Sequence, residues 1–395
     1  MKLKSTSKWY SSKIKVMAES FKNMFDKPFF GRFVNDLSLV LQNMSVDKFV
    51  TLVMDEEWEN RGYKQRIAHI TTVLHKFMPT EYKEAVAKIF KLLDCVKVRL
   101  LDFSKIDDKN FNLLTLEYGV ILDHYVERYG IEDYETSVKA IERITQFTTC
   151  EFVTHAFIVK YQDEMMKQML AWSKHPHWGV RRLASEGCRP RLPWAMSLPK
   201  LKENPAPIIP IMENLKNDPS RFVRLSVANN LNDISKDNPQ IVIALAKKWK
   251  GQSENIDWVI KHGCRTLLKQ GNHEILNLFG LSLNDNISIG DFKILTKRIK
   301  MGDSVEFCFN LNNYNTEKRT IRLEYGIYYR KMNGEMTRKV YKISEKEYKG
   351  NSITEVNRKH SFRPITTRTF YPGIHQIAVI FNGCESGKCE FELVE

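Results

Sequence analysis

At 395 residues the chain can hold two or three domains and bury a large core without disulfides or a structural metal. A composition of 43% hydrophobic, 27% charged and 11% aromatic residues is that of an ordinary globular protein and excludes a disordered or membrane-embedded polypeptide. Lys and Arg outnumber Asp and Glu by 61 to 47, a formal net charge of +14, which favours a polyanionic partner over one of like charge, although solubility alone accounts for part of it.

The first fifteen residues hold several lysines and no apolar run long enough for a signal peptide or a spanning helix, so residues 1–15 read as a flexible basic lead-in to a cytoplasmic protein. The seven cysteines are odd in number and scattered, as expected of reduced thiols. From residue 16 to about 280, apolar residues recur at three- and four-residue spacing between short breaks of Gly, Pro, Asn and Asp, predicting helix after helix. Within that stretch Val180-Arg181 lies over Val223-Arg224, 43 residues later, and Val223 over Val259, 36 residues further. Such self-similarity predicts a HEAT-like solenoid over residues 16–285, whose stacked helix pairs form a concave binding face.

The pattern turns to alternation near residue 290, as in Val305-Glu306-Phe307-Cys308-Phe309-Asn310-Leu311. Roughly seven short strands with turns at Asn333-Gly334 and Asn382-Gly383 predict an all-β immunoglobulin-like sandwich over residues 290–395. Gly280 to Gly290 is the predicted linker, Tyr371 a candidate to tie a corner, and the segment between Cys384 and Cys389 a predicted turn with only a weak metal signal. Residues 291–395 carry 19 basic and 13 acidic side chains, and Arg330-Lys331, Arg338-Lys339 and Arg358-Lys359 are expected in loops, either solvated or on DNA. No metal, cofactor, membrane or obligate protein partner is predicted.

The densest constellation runs from His177 to Trp194. On a helix Arg182, Glu186 and Arg189 share one face, placing a carboxylate between two guanidiniums. That pattern suits a surface ion-pair ladder, and equally arginines that grip phosphates while orienting Glu186. In the next unit Ser226, Asn229 and Asp233 share a polar face; in the third, Lys261, Arg265 and Lys269 do. Asp233 also fits a helix-end carboxylate. Thr148-Thr149-Cys150-Glu151 fits a capping box in which Glu151 reaches back to the N-cap amide. Trp178 and Trp194 fit a core, and an indole at the mouth of a cationic-ligand site would stabilise positive charge.

The strings Arg181-Arg182-Leu183-Ala184-Ser185-Glu186-Gly187, Arg189-Pro190-Arg191-Leu192-Pro193-Trp194 and Ser226-Val227-Ala228-Asn229-Asn230-Leu231-Asn232-Asp233 resemble the AlkC branch of the HEAT-like bacterial DNA glycosylases. The sandwich resembles the immunoglobulin-like extension of one subset of that family. What this resemblance implies is excision of small cationic bases such as 3-methyladenine and 3-methylcytosine from double-stranded DNA, without base flipping and without a cofactor. Glu151, Glu186 and Asp233 match its active-site carboxylates, with Arg182, Arg189 and Trp194 beside them; Lys261 and Arg265 are expected on DNA. The competing expectations are a non-catalytic module for bent or damaged DNA and a solenoid for an acidic protein.

Overall fold

The computed structural model describes residues 23–42, 44–96, 113–281, 286–365 and 368–395; the lead-in expected over 1–15 lies outside them. Among the described residues, sixteen α-helices precede eight β-strands. They fall in two compact units, Lys13–Gly263 and Cys264–Glu395.

The first unit is helical. Its helices are α1 (Lys27–Ser38), α2 (Val46–Val53), α3 (Tyr63–His75), α4 (Tyr82–Val96), α5 (Leu113–Gly130), α6 (Tyr134–Thr145), α7 (Glu151–Lys160), α8 (Gln162–Trp172), α9 (Trp178–Glu186), α10 (Pro199–Glu203), α11 (Ile209–Leu215), α12 (Arg221–Ile234), α13 (Pro239–Trp249) and α14 (Glu254–Gly263). Local chemistry sets their ends. Asp26 caps α1 by accepting the Phe29 amide at 2.7 Å, with Pro28 in the first turn where its missing N–H costs nothing. Apolar periodicity then buries one face, as with Phe29, Phe30 and Phe33 on α1 and Val223, Val227 and Leu231 on α12.

The 43-residue repeat is visible in side-chain chemistry. Arg181 Nη1 donates to the carbonyls of His175 and Pro176 at 3.0 and 2.7 Å, and Arg224 Nη1 donates to those of Asp218 and Pro219 at 2.6 and 3.0 Å. Donor and acceptors are displaced by the same 43 positions, so each arginine closes the turn that opens its own repeat. Arg181 also joins the two units of the repeat through Asp218, at 2.6 Å from Nε.

The second unit opens with α15 (Arg265–Gln270) and α16 (His273–Leu278) and continues with β1 (Ile287–Ile294), β2 (Arg298–Lys300), β3 (Ser304–Asn313), β4 (Arg319–Arg330), β5 (Met336–Tyr348), β6 (Ser352–Ser361), β7 (Gly373–Phe381) and β8 (Cys384–Val394). The strands form two sheets, ordered β1-β3-β6 and β2-β8-β7-β4-β5; the short β2 pairs with β8 in parallel and the other pairings are antiparallel. Strict alternation on β3 buries Val305, Phe307, Phe309 and Leu311.

Asn382 (φ 44°) and Gly383 (φ 78°) form the left-handed two-residue turn that such a pair predicts. A Cβ on Gly271 would lie 2.7 Å from the Gly383 carbonyl oxygen, so the α15–α16 corner packs on this turn and belongs with the sheets. That contact places the division of the chain after Gly263, ahead of residues 280–290.

Several sequence expectations change in detail. The strands number eight among the described residues, and Gly290 lies inside β1 rather than in a linker, while residues 282–285 are outside the described residues. Cys384 and Cys389 both lie on β8; the residues between them continue the strand, with Gly387 as the extra residue of a bulge at φ 70°. The corner at Tyr371 is tied by its main-chain carbonyl, which accepts from His375 Nε2 at 2.9 Å, and not by its phenol. Arg338-Lys339 and Arg358-Lys359 sit within β5 and β6, not in loops.

Candidate active site

Three helices of the first unit and one loop bring charged groups together. Glu151 is the first residue of α7, Arg182 and Glu186 lie on α9, Arg189 follows α9 in the loop to α10, and Asp233 is near the end of α12. α9 stops short of Pro190, which has no amide to continue it, and α7 packs closely on its C-cap: a Cβ at Gly187 would approach Thr154 Oγ1 to 2.5 Å, and that hydroxyl donates to the Gly187 carbonyl at 3.0 Å. Arg189 is therefore off the helix, contrary to the single helical face expected from spacing. Its guanidinium still turns back to Glu186.

The result is an alternating array. Arg182 spans both Glu151 oxygens at 3.3 Å each, and its Nη2 is 3.8 Å from Glu186 Oε1. Arg189 Nη1 donates to Glu186 Oε1 at 2.6 Å, while its Nε and Nη2 both lie 2.9 Å from Asp233 Oδ2. Lys236 closes the series on Asp233 Oδ1 at 3.0 Å. Acid and cation thus alternate from Glu151 through Arg182, Glu186, Arg189 and Asp233 to Lys236.

The array is largely dry: Glu186, Arg189 and Asp233 are 7%, 7% and 2% exposed. Burial pushes the Glu186 carboxyl up, but Arg189 and then Arg182 outweigh it and hold the group below its ordinary value. Burial likewise disfavours the charged form of Arg189, and Glu186 and Asp233 more than restore it. Both guanidiniums are engaged by carboxylates, Arg182 by Glu151 and Arg189 by Glu186 and Asp233. The capping box expected at Glu151 is absent, because Glu151 is the first residue of its helix and its carboxylate goes to Arg182.

The loop after α9 is pinned at several points. Arg191 makes a bidentate pair with Asp237 at 2.8 and 2.6 Å, His155 Nδ1 donates to the Met196 carbonyl at 2.7 Å, and Lys64 Nζ donates to the Trp194 carbonyl. Held this way, Trp194 adopts a left-handed φ of 71°, a strained conformation for an aromatic residue; the residue is 39% exposed and its ring lies edge-on to Tyr63. Trp178 packs edge-on against Phe222, and Arg182 lies over the same ring at 4.6 Å.

Other expected residues fall elsewhere. Asn229 is half-buried, and it is the adjacent Asn230 that reaches α9, donating to the Ser185 carbonyl at 2.8 Å. Lys261 and Arg265 are not on one helix: α14 ends at Gly263, Cys264 interrupts it, and Arg265 opens α15 in the other compact unit. Sequence reasoning missed Asp123 on α5, a carboxyl within the apolar run Val120-Ile121-Leu122; an acid in such a run was the available signal. Among the described residues, no helix is long and apolar enough to cross a membrane.

Comparison with known proteins places the chain in a family. Residues 119–267 match a family model described as DNA alkylation repair enzyme, and residues 288–395 match one described as the C-terminal Ig-like domain of YhaZ. The chain is 37% identical over 372 residues to the protein YhaZ of Bacillus subtilis (strain 168), covering 94% of this chain and 99% of that one. It is similar to a solved structure of the Pseudomonas fluorescens alkylpurine DNA glycosylase AlkC bound to DNA containing an abasic site analog, with a TM-score of 0.85, 30% identity, and coverage of 95% of this chain and 99% of that chain. The chain belongs to the AlkC/YhaZ-type family of DNA alkylation repair enzymes that carry a C-terminal Ig-like domain.

Proposed function

We propose that the protein is a monofunctional DNA glycosylase that hydrolyses the N-glycosidic bond of small cationic alkylated bases, 3-methyladenine and 3-methylcytosine, in double-stranded DNA and without swinging the base out of the helix. The observation that carries this reading is the convergence of Glu151, Glu186 and Asp233, from three helices, in one array of alternating charge.

A base already carrying positive charge leaves as a neutral species and needs no general acid. The remaining barrier is the positive charge that develops on the deoxyribose, which preorganised carboxylates stabilise in a water-poor site. Glu186, held below its ordinary value by Arg189, and Asp233 supply that charge, and Glu151 orients the attacking water. Trp194, strained and half-open in the loop that supplies Arg189, gives the cationic base a π face. Lys261, exposed on α14, and Arg265 on α15 contact phosphates, where the overall +14 charge assists approach.

A second reading, a non-catalytic module for damaged DNA, draws on the saturation of Asp233, whose two oxygens are taken by Arg189 and Lys236. Incubation with duplex DNA carrying 3-methyladenine or 3-methylcytosine separates the two. Release of free base, leaving abasic sites in unbroken strands, is the expected result; tight binding without release points to the module.

A further inference from the structure

The array leaves one nearby carboxyl unused. Asp123 on α5 is 4% exposed, and its Oδ1 accepts the Val153 amide at 3.3 Å. Val153 is the third residue of α7, whose amide an N-cap side chain would ordinarily take, yet the N-cap residue Cys150 makes no such bond. Helix α5 approaches this closely because it carries Gly119, where a Cβ would overlap the Thr148 side chain just before α7. Glu151 is the first residue of the helix so capped.

We propose that Asp123 is a positioning residue of the site, a side chain from α5 that caps α7 from outside and thereby fixes Glu151 against Arg182. Among the described residues no cation pairs with it. The titratable groups around it are Glu127 on its own helix, Glu151 and Cys150 at the start of α7, and Tyr63 on α3, whose phenol is pushed up to about 12 by burial and then by Asp123. Burial raises the Asp123 carboxyl well above its ordinary value, and Glu127 and Glu151 add to the rise. Its protonated form is thereby favoured to higher pH than that of an ordinary carboxyl. A neutral carboxyl accepts the Val153 amide through its carbonyl oxygen without setting a second negative charge beside Glu151, whereas its ionisation at higher pH opposes the two acids.

This inference rests on reading Glu151 as part of the glycosylase site, so its test on the full-length protein includes a readout independent of catalysis. Infrared spectra recorded as a function of pH are expected to show a protonated-carboxyl band that persists above the ordinary carboxyl range and is lost in Asp123→Asn. In single-turnover base release, Asp123→Ala is expected to slow the chemical step about tenfold with DNA affinity unchanged, the effect of losing one helix cap. Asp123→Asn, which keeps the acceptor and cannot ionise, rescues most of that loss and flattens the fall in rate at alkaline pH.

Wild-type rates in Asp123→Ala, or an Asp123→Asn loss as deep as that of Glu151→Gln, overturn the proposal, as does a spectrum from which Asp123→Asn removes no band. If wild type releases no base but the band is present and lost in Asp123→Asn, the glycosylase reading fails and the charge state inferred here stands.

Discussion

Among the described residues, a buried ionic network lies in each compact unit, and the two are built differently. In the β unit Arg322 bridges Glu324 at 2.6 Å and Glu345 at 2.8 Å, all three from the adjacent strands β4 and β5. Arg322 Nε and Glu324 Oε2 are left buried without a partner. In the helical unit the ladder from Glu151 to Asp233 joins α7, α9, α12 and a pinned loop, none of its buried atoms is left unpartnered, and a strained, half-open Trp194 stands in the loop that supplies Arg189. Buried charge alone therefore does not mark a site. Convergence from separate elements, with backbone strain and an accessible aromatic face in the same loop, sets the helical network apart.

The sharpest way to break this comparison is to remove the central cation of each network. Arg189→Ala leaves Glu186 and Asp233 buried without their main partner, and is expected to cost about 3–5 kcal/mol in chemical denaturation and to abolish base release. Arg322→Ala is expected to destabilise its unit comparably while base release per folded molecule persists. Equal losses of activity in the two variants would erase the distinction drawn here.

Stability against pH sharpens it further. Burial works against ionised Glu186, but Arg189 and Arg182 win, so its folded value lies below its unfolded value of about 4.3. A depressed carboxyl contributes stability that is complete above the unfolded value and is lost as pH falls through the folded one. Unfolding free energies measured downward from neutral pH are expected to drop more shallowly in acid for Glu186→Gln than for wild type. Parallel curves would show that Glu186 is not held ionised by its neighbours.

A smaller effect is expected at Trp194. Replacing it with Gly relieves the left-handed backbone and removes the indole, so thermal unfolding should show a gain of about 1 kcal/mol while base release slows. A variant that loses stability and keeps its rate would assign the tryptophan to packing.

Much of this was legible in the sequence, for physical reasons that differ by element. The 43-residue repeat could be read because Arg181 and Arg224 each answer the carbonyls of their own Pro-containing turn, a local rule written in local residues. The hairpin at Asn382-Gly383 was legible because few residues tolerate positive φ at successive positions. What escaped depended on tertiary contact. Spacing put Arg189 on the α9 helix, although Pro190 was a local sign that the helix stops short of it, and the packing of α7 on Gly187 could not be read locally. The Thr148–Glu151 pattern matched a capping box, yet Arg182, 31 residues away, takes the carboxylate. The cap of α7 comes instead from Asp123, a residue on another helix.

The central claim is that Glu186 and Asp233 stabilise the charge developing on the sugar as the base departs and do not merely hold the fold. Single-turnover release of 3-methyladenine from duplex DNA, with protein in excess, tests it directly in wild type, Glu186→Gln and Asp233→Asn. The account predicts release by wild type and a loss of about a hundredfold or more in each folded variant, with binding to undamaged duplex retained. Wild-type rates in either variant, or binding and release that fall together, would contradict it.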